Sequence, residues 1–180
     1  PVDIEKNIEA DGDLSNFILP YSAELDVKMN VKIAESKHDF IVARPSSNLM
    51  NWTADAVFYH QTRNKKLSEP TFCLLNFGGI RSSIGKGDIK LKDLYKVMPF
   101  DNSIVWVKLP LSTLQKISIY LKSSGGEPIS NVQMQSGKLI LNGDQETDFF
   151  WVITSDYLFR GGDHMDCLLY TSDAADDDVR

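Results

Sequence analysis

An amide, two adjacent glycines and a guanidinium stand close together in Asn76-Phe77-Gly78-Gly79-Ile80-Arg81. The glycines allow φ > 0 and let a ligand approach the main chain closely. Asn76 both donates and accepts, and Arg81 presents five donors in a planar fork. Catalytic groups of the usual kinds are missing. His38, His60 and His164 lie far apart and none sits in a metal-ligand motif. No Ser-His-Asp arrangement, P-loop or pair of catalytic carboxylates is present either. The residues suit recognition of a polar ligand better than bond breaking.

The elements that must hold these groups follow from periodicity. Thr71-Phe72-Cys73-Leu74-Leu75 is a continuous apolar run, expected to be a strand buried on both faces and ending at Asn76. Gly85 to Asp88 reads as a turn. Leu91, Leu94, Tyr95 and Met98 recur at helical spacing, so a short helix follows and Pro99 stops it. Upstream, Pro20, Tyr21, Leu25 and Met29 suggest a first helix, and Val31 to Ala34 an edge strand. Ser46, Ser47 and Asn48 are all good N-caps for a helix carrying Leu49, Trp52, Ala56 and Tyr59 on one face. In that helix Asp55 is at risk of burial and reads from the residues alone as an exposed or capped carboxylate. Ser103 to Leu109 is a strand with Trp106 as a large core residue, and a helix runs from Leu111 to Lys122. Val132–Gln135 and Lys138–Leu141 form a hairpin around Ser136-Gly137. Phe149 to Thr154 is a second buried strand, whose end carries the loop from Tyr157 to Asp163. Cys73 reads as a small core residue.

The chain has 180 residues, which fits one well-packed domain, and carries a net charge of −6. An acidic surface argues against nucleic acid or an anionic membrane as the main partner, so any anion site has to be local. No apolar run approaches the length of about 18 residues that a transmembrane helix needs. The two cysteines define no disulfide framework. Residues 1–19 read as a lead-in and 20–166 as the domain. Residues 167–180 resemble the translation of a sequencing adapter, so the genuine protein is expected to end near Asp166.

Four blocks, in order, resemble the C-terminal domain of the 5'-nucleotidase family. They are Asn48 to Ala56, Asn76-x-Gly78-Gly79-Ile80-Arg81, Pro99-Phe100-x-Asn102, and Thr154 to Asp163. The resemblance implies an α+β fold, a mixed β-sheet flanked by helices with the ligand loops gathered at one edge. It further implies that a nucleoside is held between the rings at Phe100 and Tyr157. Asn76, Gly78, Gly79, Arg81, Asn102, Gly161 and Gly162 would surround it, Asp163 would read the ribose hydroxyls, Arg44 would add a further contact, and Asp55 would bond a loop. In the family, hydrolysis belongs to an N-terminal metallophosphatase domain with a two-metal site. This chain is therefore expected to carry no cofactor, and its partners to be a nucleoside or nucleotide and a metallophosphatase domain or chain. The implied location is the periplasm or cell surface.

The chain departs from the family pattern at several positions. Phe77 and His164 stand where glycines are common, Tyr157 where phenylalanine is common, and Pro110-Leu111 where Thr-Gly is common. A ring at 77 could crowd a nucleotide or extend the stack. It motivates the competing reading, a binding or scaffold module of the same fold that has lost nucleotide recognition.

Overall fold

A computed structural model describes residues 12–142 and 147–169. A four-stranded mixed sheet forms the centre, built from β2 (Thr71–Leu74), β4 (Ile104–Pro110), β5 (Ile129–Ser130) and β8 (Phe149–Ser155) in the order β4-β8-β2-β5. β2 and β8 run parallel, while β4 and β5 flank them antiparallel. The expected mixed sheet flanked by helices is thus the observed fold. Two small antiparallel pairs complete it. One joins β1 (Lys32–Ser36) to β3 (Gly87–Lys90), and the other is the hairpin of β6 (Val132–Gln135) and β7 (Lys138–Leu141).

Alternation along each strand splits the core in two. Phe72, Leu74, Val107, Leu109, Phe150 and Val152 point to one face, where α4 (Leu114–Ser124), through Ile117 and Leu121, and the hairpin, through Leu139 and Leu141, cover them. Phe72 and Phe150 stack there with ring centroids 5.8 Å apart. Cys73 and Ile153 point to the other face, against Ala54, Val57 and Phe58 of α2 (Asn48–Thr62). Burial on that face pushes the Cys73 thiol up to about 12, so it stays an inert apolar filler. A further cluster of Leu49, Met50, Ile80, Ile84 and Val97 lies beneath β3 and α3 (Leu91–Val97).

Several expectations need correction. The buried face of α2 is Leu49, Met50, Thr53 and Ala54, whereas Trp52 and Tyr59 are exposed. Large aromatics mislead a periodicity count here, because Trp52 leans on the rim of the domain, edge-on to Phe40. Gly87 and Asp88 are not in a turn but pair with Ser36 and Glu35. In α3 it is Val97 that is buried, while Tyr95 and Met98 face outward. Trp106 is half-buried rather than central, donating through Nε1 to Gln61. The first helix, α1 (Gly12–Met29), begins before Pro20 and buries none of its residues. Asp55 is exposed, and its Oδ1 accepts from the Ser130 hydroxyl at 2.5 Å, so its partner is the strand β5 rather than a loop.

The chain after β8 turns through α5 (Asp156–Phe159) and reaches Leu168, which is fully buried in the larger cluster beside Met165. Leu168→Ala is expected to lower the unfolding free energy by about 2–5 kcal/mol, measured by urea titration. Of the suspected adapter segment, residues 170–180 lie outside the described residues, as do residues 1–11 of the lead-in.

Candidate functional site

β2 and β8 lie side by side and parallel, so their carboxyl ends open at the same edge of the sheet. β4 is antiparallel to β8 with Ile104 opposite Ser155, which brings the segment before β4 to that edge as well. Three loops therefore converge: Asn76–Arg81 after β2, Phe100–Asn102 before β4, and the segment from Tyr157 onward after β8. Clefts at the carboxyl ends of parallel strands are a common ligand position, because the loops there diverge and leave backbone groups accessible. Here Asn76, Gly78, Arg81, Phe100, Asn102, Tyr157 and Asp163 line a cleft of about 300 Å³.

The polar groups of the cleft are joined. Asn76 is buried, and its Nδ2 donates to Asp163 Oδ2 at 2.8 Å. Tyr157 donates its hydroxyl to Asp163 Oδ1 at 2.9 Å. That bond raises the phenol above its ordinary range, so Tyr157 stays protonated as a donor. Each carboxylate oxygen keeps lone-pair capacity for a ligand hydroxyl. Tyr120 donates to the Asp163 carbonyl at 3.1 Å, fixing the backbone as well. Among the described residues Arg81 reaches only the Gly78 carbonyl, at 3.3 Å, leaving most of its fork open to them. The rings of Phe100 and Tyr157 are 55% and 44% exposed, much more than core aromatics.

The glycines play packing roles around these groups. A Cβ on Gly79 would sit 2.9 Å from Asn76 Oδ1, and one on Gly162 would lie 2.5 Å from the Tyr157 ring. Gly161 holds φ +85 at the end of α5. Tyr157 itself stands on that helical turn, capped by Ser155, and not in a loop as the sequence suggested. Asp163 and His164 follow at φ +51 and +62, where side chains strain the backbone. Glycine takes this conformation without that strain. His164→Gly is expected to raise stability by up to about 1 kcal/mol, seen as a higher melting temperature.

Of the expected contacts, Gly79, Gly161 and Gly162 are not among the cleft-lining residues, and Arg44 sits away from the cleft. Arg44 pairs with Glu127, and its guanidinium lies 4.5 Å from the centre of the Phe77 ring. Phe77 packs on the Leu49, Met50 and Val97 cluster and is not among the cleft-lining residues, so its ring neither fills nor extends the cleft. Sequence reading missed Glu127 and Tyr120. Arg44, Phe77 and Asp163, which they bond, lie 43 or more positions away, and no local signal marks them.

Among the described residues no group of three or more His, Cys, Asp or Glu could hold a metal ion. No described helix is long and apolar enough to cross a membrane.

The family model for the 5'-nucleotidase C-terminal domain matches residues 32–117. A 5'-nucleotidase from Vibrio parahaemolyticus is 28% identical over 173 residues, covering 83% of this chain and 29% of that protein. The trifunctional nucleotide phosphoesterase YfkN of Bacillus subtilis is 26% identical, covering 91% of this chain and 13% of that protein. Among solved structures, the 5'-nucleotidase precursor of Thermus thermophilus superposes with a TM-score of 0.66 at 25% identity, over 89% of this chain and 36% of that one. The Candida albicans 5'-nucleotidase shares the fold with a TM-score of 0.59 at 14% identity. The chain thus spans less than a third of the Vibrio relative it matches.

Proposed function

We propose that this chain, whose residues 32–117 match the family model for the 5'-nucleotidase C-terminal domain, is such a domain and that its cleft binds the nucleoside part of a nucleotide substrate. The observation that carries the reading is the meeting of two exposed rings, Phe100 and Tyr157, with the Asn76–Asp163–Tyr157 hydrogen-bond chain in one cleft. The rings stack on the base, which tolerates different bases because each has a π-face. Asp163 accepts from the ribose hydroxyls, Asn102 meets the base edge, and Arg81 meets ribose or phosphate oxygens.

Phosphate-ester hydrolysis is then the task of a metallophosphatase domain or partner chain, whose two metals would clamp the attacking and leaving oxygens. The domain presents substrate to it from the periplasm or cell surface, in nucleotide breakdown. Calorimetric titration of the whole chain with adenosine, uridine and AMP tests the proposal. Saturable binding of both nucleosides, within about tenfold of each other, is expected. Absence of binding, or binding unchanged by Asp163→Ala, sinks it.

A further inference from the structure

Glu127 stands between Gly126 and Pro128 in the connection from α4 to β5, and its side chain is only 3% exposed. A carboxylate so buried is costly unless its oxygens are paired. Here both are. Oε1 accepts from Arg44 Nη2 at 2.8 Å, and Oε2 accepts from the Phe77 backbone N–H at 2.5 Å. Arg44 also donates to the Ser124 carbonyl and covers the Phe77 ring. Three segments distant in sequence are thereby tied to a single carboxylate.

The N–H it holds opens the helical turn Phe77–Gly79, and the Asn76 side chain does not cap that turn. The first amides of a turn need an outside acceptor, and Glu127 supplies one. Asn76 is freed to reach Asp163 instead. A continuous path of bonds then runs from Arg44 through Glu127, the Asn76–Phe77 peptide and Asp163 to Tyr157.

We propose that Glu127 is a positioning residue for the cleft. It fixes the peptide that aims Asn76 at Asp163, and it holds Arg44 as its counter-ion. The inference rests on the nucleoside reading of the cleft for its binding consequence, but not for its effect on the turn. Burial also lifts the Glu127 carboxyl above the usual range, with Arg44 and the Phe77 N–H pulling the other way.

The test uses the whole chain with Glu127→Ala, Glu127→Gln and Arg44→Ala. A core control, Ile117→Val, lowers stability without touching the turn. Amide hydrogen exchange at Phe77, read by NMR without ligand, should quicken about tenfold or more in the alanine variant at 127 and remain unchanged in the control. Adenosine affinity should fall by a similar factor. Glutamine keeps an acceptor oxygen for the Phe77 N–H, so protection and affinity should recover while Arg44 is released. Arg44→Ala should keep the Phe77 bond while loosening the carboxylate, giving the smaller effect on exchange. Wild-type exchange at Phe77 in Glu127→Ala overturns the proposal, as does faster exchange with unaltered affinity. If the wild type binds no nucleoside, the cleft reading fails instead, and the exchange data alone decide whether Glu127 fixes the turn.

Discussion

Replacing Phe100 and Tyr157 together by alanine is expected to weaken adenosine binding by roughly 30-fold to a thousandfold, at about 1–2 kcal/mol for each lost stacking face. Both rings are largely exposed, so the loss falls on the ligand rather than on the core, and the melting temperature should move little. Tyr157 has a second role that the double variant hides. Its hydroxyl holds one oxygen of Asp163, so Tyr157→Phe keeps the face and removes the donor. That variant should lose affinity by a smaller factor than Tyr157→Ala. Calorimetry on the four proteins separates the two contributions. Binding indifferent to the double variant would mean that the rings do not form a clamp.

Gly126→Ala should be the most damaging single substitution in the described structure outside the hydrophobic clusters. A Cβ there would lie 2.1 Å from the Pro45 carbonyl oxygen and 2.8 Å from its carbon, both main-chain atoms with little room to yield. The residue also has φ +104, which side chains rarely adopt. Overpacking and backbone strain together are expected to cost at least about 3 kcal/mol. Because Gly126 precedes Glu127 and Pro45 follows Arg44, displacement should reach the cleft and weaken nucleoside affinity too. Gly137→Ala is the matched comparison: φ is +77, but nothing lies within 4 Å of the added methyl. It should cost only about 1 kcal/mol. Equal denaturation midpoints for the two variants would show that conformation, not collision, sets the penalty.

How much of this could be read from residues alone depends on the range of the interactions. β2 and β8 were legible because strands buried on both faces are uninterrupted apolar runs. The hairpin was legible because Ser136-Gly137 takes the left-handed conformations its turn demands. The cleft residues were named through their resemblance to a family. Their convergence, however, depends on the parallel pairing of two strands whose partner residues, such as Thr71 and Trp151, are far apart in sequence, which no local pattern encodes. Arg44 shows the limit most clearly. A guanidinium near a recognised block looks like a ligand contact, but Glu127, 83 positions away, is where it goes. Burial of a lone acid is a tertiary fact, invisible until the fold supplies its partners. The face of α2 was misjudged for a related reason. Spacing identifies a helix, but which stripe turns inward is decided by what packs on it, and here Ala54 meets the sheet while Leu49 and Met50 join the cluster beneath β3 and α3.

The helix α1 has a consequence for how the chain melts. It buries no residue, and Pro20 within it removes one of its internal hydrogen bonds. A helix without a packed face draws little on the cooperativity of the core, and short isolated helices are marginal in water. The three tryptophans, Trp52, Trp106 and Trp151, all belong to the sheet and to the helix packed on it. Fluorescence from them therefore follows the core alone, whereas far-ultraviolet circular dichroism also follows α1. For this chain the two signals describe different equilibria: helical signal fades first, and a sharper tryptophan transition follows when the sheet gives way.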